Sequence, residues 1–132
     1  KNKNKIINHD LNFFNRERFS QVTSKEGLIS DYVNDVFEDS QKNIWFGNYR
    51  GLTRLSDSTI VSVSREQGLQ FNNINSIYED SKNNIWFGAS GGLIKYDGEY
   101  LQTFSDKKSI GSLIISSVIG DKEDNIWFNT ED

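Results

Sequence analysis

DVFEDSQKNIWFG, from Asp35 to Gly47, returns as SIYEDSKNNIWFG from Ser76 to Gly88, and again, degenerate but in register, as SVIGDKEDNIWFN from Ser117 to Asn129. Trp45, Trp86 and Trp127 therefore stand 41 residues apart twice over (86−45 and 127−86). A repeat of that length makes each unit one supersecondary element stacked on the next. The same shift aligns Leu11 with Leu52 and Leu93, and Phe14 with Leu55 and Tyr96. It also aligns Phe19 with Ile60 and Leu101, Val22 with Val63 and Phe104, and Val33 with Ile74 and Ile115.

Each unit thus carries four short apolar patches separated by Gly, Asn, Asp and Ser. Spacings of two or three and a β-branched and aromatic bias read as strands, and no window sustains the i, i+3, i+4, i+7 pattern of an amphipathic helix. Four antiparallel strands with a period near 40 describe a β-propeller blade. The fold class is therefore all-β, with three 41-residue four-stranded repeats. Asp39, Asp80 and Asp121 open the turn that leads into each Ile-Trp-Phe strand. Their carboxylates are expected to accept backbone N–H bonds from two or three residues on. The turn needs a residue that tolerates positive φ, which suits Asn83 better than Lys42. Each indole is expected to wedge between neighbouring sheets.

Composition narrows the function. A net charge of −4 over 132 residues offers no basic footprint for nucleic acid. There is no cysteine, hence neither disulfide nor thiolate metal site. No apolar run approaches the roughly 20 residues that cross a bilayer, so this segment is expected to make no direct membrane contact. The absence of methionine suggests a piece of a longer polypeptide, with targeting information elsewhere.

The string V-x-x-I-x-E-D-S-x-x-N-I-W-F-G-x-x-x-G-L-x-x-Y resembles the two-component regulator propeller repeat. The resemblance is best over Val33 to Leu55 and Ile74 to Tyr96, fair over Ile115 to Thr130 and weak before Leu11. Where that family usually has Gly before the turn Asn, this chain has Lys42, Asn83 and Asp124. The final Gly, read as a turn residue, becomes Asn129 in the third copy. The resemblance implies the periplasmic sensor portion of a hybrid histidine kinase, with the strands from Val33, Ile74 and Ile115 lining the channel. The chain then divides into an N-terminal tail (1–10) and a propeller segment (11–132). The segment comprises an outer half-blade (11–22), a blade (33–63), a second blade (74–104) and an inner half-blade (115–130). Three blade-equivalents cannot close a ring that typically needs four to eight. Closure is expected from a second copy, as a two-fold dimer of six blades, or from neighbouring blades of a longer chain.

Residues that recur with the period serve the scaffold, whereas loop residues that break it are candidates for function. Trp45, Trp86, Trp127, Asp39, Asp80 and Asp121 fall in the first class, as do Glu38 and Glu79. His9 is the only histidine, which leaves a zinc site or a nucleophile–His–acid triad without partners. Asp121, Glu123 and Asn125 match the first ligands of a calcium loop, but Ile126 stands where its Gly belongs. No metal and no cofactor is expected.

The loops entering the inner strand and leaving the second strand share one rim. There Tyr32, Tyr49, Arg50 and Phe71 break the pattern and are candidates for ligand binding by stacking and charge pairing. The leading expectation is a non-catalytic, ligand-binding sensor propeller that responds to a glycan. A purely structural, self-assembling fragment and a polysaccharide-acting propeller enzyme are the alternatives.

Overall fold

The structure, a computed structural model, describes residues 11–14, 19–57, 59–105 and 114–131. Among these, twelve strands form the architecture: β1 (Leu11–Phe14), β2 (Phe19–Val22), β3 (Val33–Glu38), β4 (Ile44–Asn48), β5 (Gly51–Ser56) and β6 (Thr59–Ser64) come first. They are followed by β7 (Asn72–Glu79), β8 (Ile85–Ser90), β9 (Gly92–Tyr96), β10 (Leu101–Phe104), β11 (Ile114–Gly120) and β12 (Ile126–Glu131). The one helical feature among the described residues is a 3-10 turn at Arg65–Gln67, which Ser64 and Gln67 cap reciprocally.

Strands β3 to β6 form one antiparallel blade in sequence order, and β7 to β10 form a second. The third pair, β11 and β12, meets β8 through a single position, Ile114 opposite Ser90. Register repeats with the sequence: Phe37 faces Trp45, Tyr78 faces Trp86 and Ile119 faces Trp127. The four patches per period are thus the four strands of a blade. Strands β1 and β2 form a separate two-stranded antiparallel pair.

The core lies between blades. One cluster, built around Trp45, Ile74, Ile77, Phe87 and Ile94, fills the space from the first blade to the second. A smaller one, with Leu93, Ile115 and Val118 at its centre, joins the second blade to β11 and β12. Polar contacts recur at the same shift. The side-chain amide of Asn34 donates to the Ile74 carbonyl at 2.9 Å, and that of Asn75 to the Ile115 carbonyl at 2.8 Å. One position on, Asp35 accepts from the Ile77 N–H at 2.7 Å and Ser76 from the Val118 N–H at 3.1 Å.

Two turn expectations change in detail. The Asp39 carboxylate accepts from residues two and four ahead: Oδ1 takes the N–H groups of Gln41 and Asn43, both at 2.9 Å. Oδ2 takes the Asn43 amide and the Trp45 indole N–H, both at 2.8 Å. Asp80 and Asp121 do the same for Trp86 and Trp127, at 2.8 and 2.7 Å. The spacing Asp-x-x-x-Asn-x-Trp is therefore one carboxylate tying a turn to an indole. Lys42 (φ 70°), Asn83 (φ 63°) and Asp124 (φ 63°) all occupy the left-handed region, so Lys42 adopts it as fully as Asn83 does.

Gly47 and Gly88 are strand residues rather than turn residues. A Cβ on Gly47 would lie 2.9 Å from Ile74 Cγ2, and one on Gly88 would lie 2.7 Å from Ile115 Cγ2. Glycine is present because the next blade's inner strand approaches within contact of the backbone. The tryptophans also diverge. Trp45 is 6% exposed, with ring centroids 5.4 Å from Phe87 and 5.5 Å from Tyr96 of the second blade. Trp86 is half-buried against Phe104, and Trp127 is 60% exposed. Trp127 belongs to the half-blade rather than to the two complete blades, and no further sheet among the described residues lies against it.

Candidate functional site

Antiparallel pairing puts the starts of β3 and β7 at the same end as the ends of β4 and β8. That end is one rim, and the Glu-Asp turns lie at the other. Tyr49 and Arg50 make the two-residue turn from β4 to β5, and Tyr32 immediately precedes β3. The Tyr49 N–H donates to the Tyr32 carbonyl at 3.1 Å, and the Tyr49 carbonyl accepts from the Asn73 N–H at 2.9 Å. Two backbone bonds therefore hold three loops from two blades side by side.

Tyr32 is 57% exposed, Tyr49 is 62% exposed and Arg50 is also open to solvent. Phe71 differs from its expected place. It is 9% exposed and belongs to the core cluster, with its ring packed where a Gly91 side chain would stand. Its edge still borders a polar recess of about 450 Å³ formed with Arg65, Gln70, Asn72, Ser90 and Ser105. An aromatic ring closing the core leaves little surface for stacking.

Asn73 was not among the pattern-breaking residues, yet it organises the rim. Its backbone holds φ 47°, which Asn tolerates through its short polar side chain. Its amide donates to Ser90 Oγ at 2.9 Å, and its Oδ1 accepts from Asn34 at 2.9 Å. The signal was available, since Asn73 falls in the same repeat column as Tyr32 and Ile114.

Behind this rim lies a recess of about 630 Å³ whose polar lining is Asn34, Asn73, Asn75, Ser90, Ser116 and Glu131. Asn34, Asn75 and Ser116 come from successive inner strands, so the wall repeats with the blades. Glu131 brings the one charge of that lining and accepts from Ser116 Oγ at 2.6 Å. Amides and hydroxyls offer donors and acceptors together, with little net charge. Such a surface can bind a neutral, hydroxyl-rich molecule.

The turn carboxylates at the far end are occupied. Burial raises the Asp39 and Asp80 carboxyls, but the indole, Asn amide and backbone N–H groups outweigh it and hold both below the ordinary value. At the partly buried Asp121, the Trp127 and Asn125 bonds outweigh the smaller effect of burial and hold the carboxyl at about 2. An Asp121 whose oxygens already serve the turn and the indole is spoken for as a calcium ligand. His9 lies outside the described residues.

The family model described as two component regulator propeller matches residues 27–50 and 68–91. Each match runs from the loop before the inner strand to the rim turn, in the first and second blades alike. Both stretches are similar to two-component regulator propeller repeats. Two solved structures from B. thetaiotaomicron share the propeller fold. The extracellular domain of BT3049, assigned as a hybrid two component system, is 24% identical over 83% of this chain, with a TM-score of 0.72. That of BT4673, with the same assignment, is 26% identical over 86%, with a TM-score of 0.66. The chain spans 16% of the length of each. No curated protein matches it.

Proposed function

We propose that this chain is a segment of the extracytoplasmic sensor propeller of a two-component signalling protein, non-catalytic itself, and that its rim binds a carbohydrate fragment. The observation that carries this reading is the rim itself. Two exposed tyrosines and Arg50 stand beside an amide-lined recess, held by bonds that join two blades. Tyrosine faces stack on sugar rings, Arg pairs with uronic carboxylates, and amides bind hydroxyl groups. The repeats and the likeness to extracellular domains of hybrid two component systems support a periplasmic sensor. No helix among the described residues is long and apolar enough to cross a membrane.

A ligand spanning Tyr32 or Tyr49 of one blade and Asn73 or Ser90 of the next would favour one angle between those blades. That differential affinity is what a linked kinase would read. The segment performs this as part of a ring completed by neighbouring blades.

The test is calorimetric titration with a panel of neutral and uronic oligosaccharides, using this chain and the full receptor. A ligand identified in this way should lose at least tenfold in affinity, about 1.4 kcal/mol, with the Tyr49→Ala, Arg50→Ala double variant. Both side chains are exposed, so the fold should be unaffected. Undiminished affinity in that variant, or no carbohydrate bound by the full receptor, refutes the reading.

A further inference from the structure

The third repeat departs from the first two at the positions that join one blade to the next. Gly47 and Gly88 admit Ile74 and Ile115 of the following inner strand, whose side chains lie 2.9 and 2.7 Å from where a Cβ would stand. Real Cβ atoms do not tolerate that approach. The third copy has Asn129 at this position. The amides of Asn34 and Asn75 reach the carbonyls of Ile74 and Ile115. The third copy has the shorter Ser116, whose hydroxyl is turned to Glu131.

The surface is nevertheless apolar and open. Trp127 is 60% and Ile119 is 58% exposed, and they pair across β11 and β12 on the face by which Trp45 meets the second blade. It continues the two inter-blade interfaces already formed within the chain. A second copy docked there in the same geometry would bring its Val33, the counterpart of Ile74, against Asn129. Both residues carry a Cβ substituent where the first two interfaces have room for one.

We infer that the outer face of β11 and β12 docks a further propeller blade whose inner strand carries a residue no larger than alanine opposite Asn129, and that this pairing excludes a second copy of the chain. With the isoleucine side chain removed, the nearest obstacle at the first interface is the backbone oxygen, 3.1 Å from the Cβ position. An asparagine and a small residue thus exchange the roles that glycine and isoleucine hold at the first interface; at the second, Val118 Cγ2 also stands 2.9 Å from the Cβ position. The segment is closed toward copies of itself and open toward a blade of different pattern.

Sedimentation velocity on the 132-residue chain, with tryptophan emission as a second readout, tests this. Asn129→Gly restores the gap, and Val33→Ala places a small residue opposite Asn129 in a second copy. Each should strengthen self-association at least tenfold over the parent and shift Trp127 emission to the blue. Asn129→Ala keeps the obstructing Cβ and should behave as the parent does. The inference is overturned if the parent associates as tightly as either gap-restoring variant, or if either of them stays at the parent's level. It is equally overturned if Asn129→Ala gains as much as Asn129→Gly, since polarity and not shape would then be the barrier.

Discussion

Replacing each repeated tryptophan by alanine should give three different answers from one sequence motif. Trp45 is 6% exposed, packs on Phe87 and Tyr96, and donates its indole N–H to the buried Asp39. Truncating so large a buried side chain costs about 3–5 kcal/mol, with some further loss from the stranded carboxylate oxygen. With a urea m-value of about 2 kcal/mol per M, the midpoint falls by about 1.5–2.5 M. Trp127 makes the same bond to Asp121 but is 60% exposed, so little area returns to water on truncation. Its loss should cost below about 1 kcal/mol, or under about 0.5 M of urea. Trp86, half-buried on Phe104, should fall between. The assay is urea unfolding followed by far-ultraviolet circular dichroism and by near-ultraviolet absorbance, with coincident curves licensing a single midpoint. If Trp127→Ala costs as much as Trp45→Ala, the third indole is covered in solution and the open-face argument is wrong.

Acid should weaken the fold in a particular window. The folded carboxyls of Asp39, Asp80 and Asp121 lie below their unfolded value near 3.8, so their contribution is complete above that value and is lost as pH falls through the folded ones, down to about 2 for Asp121. The unfolding midpoint should be flat from pH 7 to about 5 and decline between about pH 4 and 2, with a shallower decline in Asp80→Asn; an unchanged slope in that variant would remove Asp80 from the account. Gly88→Ala places a Cβ 2.7 Å from Ile115 Cγ2 and 2.9 Å from Val118 Cγ2. It should cost about 1–3 kcal/mol and speed hydrogen exchange in β11 and β12 while sparing β3 to β6; uniform acceleration would count against a local inter-blade contact.

The blade was legible because its determinants are local and repeated. Alternation and turn residues specify strands within a few positions, and a 41-residue shift checks each assignment against two others. What escaped the sequence is what depends on approach between units. Glycine at a turn and glycine at a close contact look alike on paper. Only Ile74, 27 positions after Gly47 (74−47), shows which kind this is. The indole N–H bond was similarly hidden, since Asp39 explained itself as a turn residue before its second oxygen was considered.

The site was less legible, and the reason is physical. Breaking the repeat selects residues that the scaffold does not require at every blade, which includes both ligand-facing groups and groups that solve one blade's packing. Phe71 and Tyr49 passed that test equally, yet one closes the core at 9% exposure and the other stands at 62%. Asn73 passed it too but was overlooked, because an asparagine in a loop looks like a turn former, and here its side chain also joins Asn34 to Ser90. The same logic makes the third repeat informative. Asp121, Asn125 and Trp127 retain every bond that builds a hairpin. Asn129 and Ser116 depart at positions that the hairpin does not need and the next blade does. The turn also varies, with Lys122 and Asp124 in place of Ser81 and Asn83, yet keeps its bonds, whereas Asn129 and Ser116 change the contacts offered to a neighbouring blade.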